Sequence, residues 1–324
     1  MSRKDLLEVR NVKKYYPVKK GFLSQSQKAV KALDGINLTI CKGQTMGLVG
    51  ESGCGKSTLG RCIVRLEETT EGTISFQGED MSALPARRMK EVRKDLQMVF
   101  QDPYSSLNPR KTIEQIITEA FIIHRLYDPA ERREKAIDLL NVVGLRPDMA
   151  KRYPHELSGG QRQRISIARA LALRPKLIIA DEPVSGLDVS IQAQILNLLM
   201  DLQEQLGLTY LFISHDLSVV RHVCDTVAVM YLGHIVEKAT KETIFTNPTH
   251  PYTNALMRSV PVPDPTIEKD LFVLEGDVPS PLSPPRGCPF NPRCSRHQDI
   301  CKHEFPTLKK SAFGSETACH FPIT

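Results

Sequence analysis

The chain has 324 residues, of which 41% are hydrophobic and 25% are charged, and its formal net charge is +6. This length and balance are typical of a globular protein with one large domain or two smaller ones. Basic pairs such as Arg87-Arg88 and Arg132-Arg133 are typical of solvated helix faces, and no apolar run approaches the ~20 residues that span a bilayer, so we expect neither a nucleic-acid-binding protein nor a membrane-spanning one.

The spacing of apolar residues predicts an alternation of strands and helices along most of the chain. Two-residue alternation and short apolar runs predict strands at residues 6–12, 33–40, 45–50, 71–78, 95–100, 177–180 and 210–214. Helical spacing predicts helices from about Lys56, over 112–144, over 160–173 and over 190–206. Strands that alternate with helices indicate an α/β fold whose parallel sheet is covered on both faces.

Two segments interrupt this alternation. The polar, lysine-rich segment 17–31 is predicted to be a loop. Prolines from Pro261 to Pro285 indicate a linker that leads to a small cysteine-bearing tail. We therefore predict a main domain of residues 1–260, followed by a linker and tail of residues 261–324.

A phosphate-binding motif lies where the third predicted strand meets a helix. The pattern G-x-x-x-x-G-K-[ST] is matched by Gly50, Glu51, Ser52, Gly53, Cys54, Gly55, Lys56 and Ser57, with Thr58 next in the helix. The glycines allow successive N–H groups to point at phosphate oxygens, and the helix N-terminus adds partial positive charge. Lys56 is expected to reach the β- and γ-phosphates, and Ser57 to give an oxygen ligand to Mg²⁺. The motif therefore predicts a site for ATP and Mg²⁺.

Two acidic residues follow the buried strand 177–180. Asp181 is placed at the carboxyl end of that strand, where it is expected to enter the Mg²⁺ shell. Glu182 comes one residue later and is expected to polarise the attacking water. Together with the phosphate loop, these acids indicate nucleotide hydrolysis.

At this point the sequence resembles the ABC ATPase family. Its signature motif is matched by Leu157, Ser158, Gly159, Gly160 and Gln161, which open a predicted helix. In that family the motif binds the γ-phosphate held by an opposite subunit, so the resemblance implies a head-to-tail dimer with ATP between two subunits. It also implies a P-loop fold with a mixed sheet core, an antiparallel β subdomain and a helical subdomain at about 103–173.

The resemblance extends to further positions of the nucleotide site. It implies that Gln101 touches Mg²⁺ and water, that His215 contacts the γ-phosphate, and that Tyr16 stacks on adenine, with Tyr15 as the second choice. One departure is Gly186, in Ser185-Gly-Leu-Asp188, where alanine is commoner in the family. It puts only the fine geometry of the dimer contact in doubt, because Asp188 is retained.

A narrower resemblance is to the ATP-binding subunits of dipeptide and oligopeptide importers, the second of the two such subunits in particular. It is carried by Asp102-Pro-Tyr-Ser-Ser-Leu-Asn-Pro-Arg110, by His250-Pro-Tyr-Thr-Asn-Ala-Leu256 and by Gly287-Cys-Pro-Phe-Asn-Pro-Arg-Cys294. It implies a homologous ATP-binding subunit in a heterodimer, two transmembrane permeases and an extracytoplasmic peptide-binding protein. Importers of nickel and glutathione have the same tail pattern, so these cargoes remain alternatives.

The location follows from the same resemblance and from the first residues. Met1 to Asp5 lead into an alternating segment and not into the apolar core of a signal peptide. We therefore expect a peripheral protein at the cytoplasmic face of the inner membrane. Two other classes of protein are disfavoured. A soluble ABC protein acting on DNA or ribosomes is disfavoured by the single phosphate loop, and a P-loop kinase by the signature motif.

Four cysteines are concentrated in the tail, namely Cys288, Cys294, Cys301 and Cys319. In a reducing compartment such a group favours a metal site over disulfides. Four thiolates suit an iron–sulfur cluster or zinc, and the gaps are wider than those of usual zinc pairs. His297, His303 and His320 keep zinc open as an alternative. Free thiols or adventitious disulfides are the third alternative. The resemblance to peptide-transporter tails favours a [4Fe–4S] cluster. Its predicted role is structural, because a proline-rich tail of ~60 residues has too little core to fold alone.

Overall fold

The computed structural model describes residues 4–18, 29–259, 276–311 and 313–323. The predicted linker prolines Pro261, Pro263 and Pro265 and most of the predicted loop at 17–31 lie outside these residues. The strands in chain order are β1 (Asp5–Pro17), β2 (Ala29–Cys41), β3 (Thr45–Val49), β4 (Glu71–Phe76), β5 (Glu79–Asp80), β6 (Leu96–Val99), β7 (Leu177–Asp181), β8 (Thr209–Ile213), β9 (Thr226–Tyr231), β10 (His234–Thr240), β11 (Lys309–Lys310) and β12 (Glu316–Thr317).

Helices occupy much of the remaining chain. They are α1 (Lys56–Ile63), α2 (Ala86–Asp95), α3 (Pro103–Ser106), α4 (Ile113–Ile123), α5 (Pro129–Val142), α6 (Gly159–Leu171), α7 (Val189–Leu206), α8 (Leu217–Val223), α9 (Lys241–Thr246), α10 (Pro251–Ser259) and α11 (Ile300–His303). Short 3-10 helices lie at Pro147–Lys151, Pro154–Glu156 and Asn291–Arg293. None of these described helices is long and apolar enough to cross a membrane.

The chain divides into two units by its contacts. The first unit is Met1–Ala83 with Ser214–Thr324, and the second unit is Leu84–Ile213. The first unit contains an antiparallel sheet in the order β2-β1-β4-β5 and a run of neighbouring strands in the order β11-β12-β10-β9-β3. The second unit contains β8, β7 and β6 as neighbours.

The antiparallel sheet follows from the alternation seen in the sequence. In β1 the side chains of Leu7, Val9 and Val12 are almost fully buried, and Val9 pairs with Leu38 of β2 and Ile74 of β4. One face of the sheet therefore forms a core, as the two-residue alternation of Leu7 and Val9 predicts, and the register shifts between Val9 and Val12.

Within the first unit, a strand pair joins the tail to β10, and a buried polar network lies on the same strand. Strand β12 pairs antiparallel with β10, and Glu237 in β10 is fully buried. The Glu237 carboxylate accepts hydrogen bonds from the N–H and hydroxyl groups of Thr249 at 2.8 and 2.7 Å, and from the N–H of His250 at 2.9 Å. These donors replace the water that the buried carboxylate loses.

The second unit combines a parallel sheet with capped helices. Every residue of β7 and β8 is buried, as expected for parallel strands covered on both faces. The helical pattern predicted over 112–144 proves to be two helices, α4 and α5, because Asp128 and Glu131 form a new capping box and Pro129 takes the first helical position. The predicted mixture of parallel and antiparallel pairing is confirmed.

Candidate functional site

The predicted phosphate loop lies between β3 and α1 of the first unit. Lys56 begins α1, and only 5% of its surface is exposed although it is charged. Its Nζ donates to the carbonyl oxygens of Gly50 at 2.8 Å and Glu51 at 3.0 Å. These oxygens compensate the buried ammonium for lost water. The ammonium is thereby held against the predicted phosphate loop.

Glycine is required at the residue that caps α1. Gly55 has a φ of 106°, which favours glycine, and a Cβ there would lie 2.3 Å from the carbonyl oxygen of Ala32. The loop therefore approaches neighbouring backbone more closely than a side chain permits. The N–H groups of the first turn of α1 have no partners within the helix, so this terminus suits an anion.

Two residues at the phosphate loop were missed by the sequence analysis. Tyr252 Oη accepts from the N–H of Glu51 at 2.9 Å, and Arg293 donates to the Glu51 carboxylate at 2.8 and 3.1 Å. They lie 201 and 242 residues from Glu51, so no local pattern connects them. The only signal was that both fall inside the C-terminal motifs beginning at His250 and Gly287.

In the second unit, β7 delivers the two predicted acids to the carboxyl edge of its sheet. Asp181 is 2% exposed at the end of the strand. Glu182 follows with a φ of 47°, and its N–H donates to the carbonyl oxygen of Ile213 at 2.9 Å. Gln101 follows the paired strand β6, and its Nε2 donates to Glu182 Oε2 at 2.8 Å. The structure thus brings Gln101 and Glu182 together, while their catalytic roles stay predictions.

The signature motif forms a capped helix start. The Ser158 hydroxyl accepts from the N–H of Gln161 at 3.3 Å, and the Gln161 side chain accepts from the N–H of Ser158 at 3.0 Å. This capping box fixes the first turn of α6, and Ser158 and Gly159 are exposed there. At Gly160 a Cβ would lie 2.5 Å from Ile191 Cγ2, so α6 approaches α7 closely at this point. The exposed helix start suits an anion.

The predicted adenine contact and the predicted switch histidine lie in the first unit. The Tyr16 hydroxyl donates to Glu67, and burial together with this bond raises the pKa of Tyr16 to about 12. The Tyr15 hydroxyl donates to Asp34 at 2.6 Å. His215 is exposed in the turn that follows β8 in the sequence. Adenine stacking by Tyr16 or Tyr15 and the role of His215 stay predictions.

The departure at Gly186 has a local reason. Gly186 has a φ of 71°, in the region that favours glycine, and it is exposed with no atom within 4 Å of the place a Cβ would take. Glycine therefore fits this turn without strain.

The four tail cysteines line one cavity. All four are free thiols, and the N–H of Cys288 donates to the carbonyl oxygen of Cys301 at 2.9 Å. Burial, with smaller contributions from the neighbouring thiols, raises the pKa of Cys288 to about 12 and that of Cys319 to about 11. Within the described residues, no group of three or more His, Cys, Asp or Glu side chains is arranged to hold a metal ion. The thiols share a cavity without the close convergence that a single ion needs.

The histidines predicted as alternative zinc ligands differ in position. His297 and His320 line the same cavity, and ring nitrogens of each lie 2.8 and 3.0 Å from the carbonyl oxygens of Cys294 and Glu304. His303 is not among the residues of the cavity and lies 3.7 Å from Asp299. Two of the three histidines therefore stay close to the thiols.

Two known families match the sequence. Residues 33–185 match the family described as ABC transporter. Residues 236–301 match the C-terminal region of oligopeptide/dipeptide transporters. The first range contains the phosphate loop, the signature motif and both acids, and the second contains Tyr252, Arg293 and three of the four tail cysteines.

Similar proteins span nearly the whole chain. The oligopeptide transport ATP-binding protein AppF of Bacillus subtilis is 55% identical over 98% of both chains. The dipeptide transport ATP-binding protein DppF of Escherichia coli is 51% identical over 98% of this chain and 94% of its own. Among solved structures, the ATP-binding cassette MJ0796, a dimer with ADP and phosphate, has a TM-score of 0.65 and 30% identity, and the match covers 73% of this chain and 99% of that one. The architecture is therefore that of an ABC cassette.

Proposed function

The chain belongs to the ABC transporter family, among the oligopeptide and dipeptide transport ATP-binding proteins, and from that membership we propose that it powers the import of di- or oligopeptides through separate permease subunits. The observation that carries this proposal is the full-length similarity, since it includes the cassette and the C-terminal region of peptide transporters. The chain is an ATPase, and peptides are the proposed cargo.

The proposed nucleotide site uses charge and backbone donors for the phosphates. Lys56 binds the β- and γ-phosphates, and the loop and first helical turn of residues 50–58 surround them. Ser57, Gln101 and Asp181 give oxygen donors, which is the ligand chemistry that Mg²⁺ prefers. When bound, Mg²⁺ neutralises charge on the phosphates. Tyr16 stacks on the adenine.

The proposed hydrolysis depends on water held by Glu182. Its carboxylate accepts a proton from the attacking water, and the Gln101 amide orients the carboxylate through the 2.8 Å hydrogen bond. His215 contacts the γ-phosphate. Positioning and electrostatic stabilisation supply most of the catalysis in phosphoryl transfer.

A second ATP-binding subunit is proposed to complete each site. Ser158, Gly159, Gly160 and Gln161 form the start of α6, where Ser158 and Gly159 are exposed, and this helix start suits the γ-phosphate bound by the opposite subunit. The partner is proposed to be a homologous subunit, so that the pair is a heterodimer. ATP then joins the two subunits, and hydrolysis separates them.

The remaining partners are proposed from family membership. Two transmembrane permeases bind this chain at the cytoplasmic face of the inner membrane, and an extracytoplasmic binding protein supplies the peptide. The segment 102–117, which contains α3 and the start of α4, is proposed to line the groove for a permease helix. No nucleic acid is involved.

We propose that the tail holds a [4Fe–4S] cluster, with zinc as the alternative. The support is the cavity shared by Cys288, Cys294, Cys301 and Cys319, whose four thiolates would be the ligands of such a cluster. The role is structural. Residues 1–260 are proposed as the nucleotide-binding domain and residues 261–324 as linker and tail.

The function is tested by reconstituting the chain with its partner ATPase, permeases and binding protein in liposomes. We expect ATP-dependent uptake of a labelled di- or oligopeptide, and ATP hydrolysis stimulated by the loaded binding protein. Glu182→Gln in this chain is the control and should reduce both. Uptake of nickel or glutathione, and not of peptide, would show that one of these is the cargo. Hydrolysis stimulated by nucleic acid or ribosomes, and indifferent to permeases, would refute the proposal.

A further inference from the structure

An ion pair joins the tail to the phosphate loop within the first unit. Arg293 Nη1 donates to Glu51 Oε2 at 2.8 Å, and Nη2 donates to Oε1 at 3.1 Å. Only 5% of the Arg293 side chain and 25% of the Glu51 side chain are exposed. Two parallel bonds with little solvent are the strongest form of this interaction and fix both partners in orientation.

The loop residue of this pair also controls the phosphate-binding lysine. The carbonyl oxygen of Glu51 accepts from Lys56 Nζ at 3.0 Å and from the N–H of Cys54 at 3.3 Å. Its own N–H donates to Tyr252 Oη at 2.9 Å. Glu51 therefore has its side chain held by Arg293, its N–H by Tyr252, and its carbonyl by the loop. A shift of Glu51 must shift the Lys56 ammonium.

The tail residue of the pair is fixed by its own surroundings. Arg293 ends the 3-10 helix Asn291–Arg293, directly before Cys294. Its Nη1 also lies 3.4 Å from Tyr231 Oη. The ring of Phe290 packs against Tyr231 at 5.3 Å and Tyr252 at 5.4 Å between centroids. The guanidinium is thus oriented by an aromatic cluster that the tail shares with β9 and α10.

From these contacts we propose that Arg293 is a positioning residue of the nucleotide site, which holds Glu51 and through it keeps Lys56 and the phosphate loop in the shape that binds ATP. The proposal rests on the nucleotide site proposed above and deepens it. Nucleotide affinity then depends on a residue outside the cassette motifs, located between two tail cysteines. The tail serves as part of the ATP site's support.

Substitution of a residue with only a general stabilising role would have a different effect. Such a substitution would lower the unfolding temperature and leave the affinity of the folded protein for nucleotide unchanged. A positioning residue changes affinity in protein that is folded, and its effect requires Glu51. Removal of either partner should therefore lower nucleotide affinity about as much as removal of both, because the two residues act as one unit.

The test measures the Kd of the full chain for a fluorescent ADP analogue with Mg²⁺. We expect Arg293→Gln and Glu51→Gln each to raise Kd at least about tenfold, and the double variant to match either single one. The Kd of Arg293→Lys should lie between those of the wild type and Arg293→Gln, since an ammonium cannot make both parallel bonds. For ATP hydrolysis, KM should rise more than kcat falls. Arg286→Gln, an exposed arginine of the same tail, is the matched control and should keep the wild-type Kd.

The outcomes separate this proposal from the proposed function. A wild-type chain that binds no nucleotide would refute the nucleotide site itself. A wild-type chain that binds, with Arg293→Gln within twofold of it, would overturn only the positioning role. Effects that multiply in the double variant would also overturn it. Should Arg293→Gln not fold, the Kd values of Arg293→Lys and the nearly isosteric Glu51→Gln decide the question.

Discussion

The side-chain amide of Gln101 donates to the carboxylate of Glu182 at 2.8 Å, across the carboxyl edge of the paired strands β6 and β7. The bond orients an acid whose backbone is already constrained, since Glu182 has a φ of 47° and its N–H is bonded to Ile213. A carboxylate held from two directions is suited to orient a water molecule. This relationship leads to the first prediction.

Replacement of Glu182 by Gln should abolish turnover and preserve nucleotide binding. The amide keeps the shape of the side chain but does not accept a proton from water, so we expect kcat for ATP hydrolysis to fall by about 10²–10⁴-fold. The Kd for ATP should stay within a few-fold of wild type, and the ATP-bound dimer should accumulate. ATPase assays, nucleotide titration and size-exclusion chromatography with ATP measure the three effects.

Two other variants frame this result. Lys56→Ala should lose nucleotide binding, because it removes the ammonium held by Gly50 and Glu51. Glu204→Gln, on the exposed face of α7, should leave hydrolysis unchanged. Turnover in Glu182→Gln close to wild type would show that another group activates water.

Local patterns predicted much of this site, because the relevant chemistry lies in short segments. The phosphate loop, the acids after β7 and the capped start of α6 each follow from a few consecutive residues. The contact of Arg293 with Glu51 could not be predicted in this way. It depends on how the chain folds back over 242 residues, and neither partner has a pattern that requires the other.

The division of the helical segment shows the opposite case. Periodicity alone gave one helix over 112–144, yet Asp128, Pro129 and Glu131 are a readable start signal. The side chains of Asp128 and Glu131 exchange hydrogen bonds with the backbone there. Here the capping residues signal the boundary between the two helices, although the apolar period continues across it.

Substitution of Gly55 by Ala should disrupt the phosphate loop. The new Cβ would lie 2.3 Å from the Ala32 carbonyl oxygen, at a residue with a φ of 106°. We expect the free energy of unfolding to fall by more than about 2 kcal/mol. Alanine is strained at this φ, and the neighbouring backbone must also move to make room for the Cβ. Nucleotide affinity should fall in the protein that remains folded. Urea unfolding and nucleotide titration measure the two losses.

Gly53 provides the matched control in the same loop. It also has a positive φ, of 78°, but no atom lies within 4 Å of the place its Cβ would take. Gly53→Ala should therefore cost only the backbone term of about 1–2 kcal/mol. Equal losses in the two variants would contradict the role of the Ala32 contact.

The stability of the first unit should depend on pH through His234. Burial lowers the pKa of His234 to about 4, although the charge of Asp34 opposes the shift. In the unfolded chain a histidine has a pKa near 6.5, so between about pH 6.5 and pH 4 the unfolded chain binds a proton that the folded chain does not. The stabilisation is complete above pH 6.5 and is lost as the pH falls through this range.

This prediction is measured by comparing wild type with His234→Gln. From pH 7 to pH 5 the wild type should lose about 2 kcal/mol more of its free energy of unfolding than the variant does. His155→Gln, an exposed histidine of the second unit, is the control and should follow the wild type. Parallel pH profiles for all three proteins would show that His234 titrates alike in the folded and unfolded chains.

The last prediction concerns the cavity lined by the four tail cysteines. Protein purified without oxygen should be brown and should contain about four irons per chain, because four thiolates are the usual ligands of a [4Fe–4S] cluster. Cys294→Ser should lose the colour and most of the iron, since one ligand is removed. Cys41→Ser, a cysteine of β2 outside the cavity, should keep both. A short, proline-rich tail has little core of its own, so loss of the metal should also lower its resistance to proteolysis. Absorption spectra, metal analysis and limited proteolysis measure these effects. A colourless protein with one zinc per chain would decide for the zinc site. A metal-free protein whose tail resists proteolysis equally in the wild type and in Cys294→Ser would show that the thiols are ordinary buried side chains.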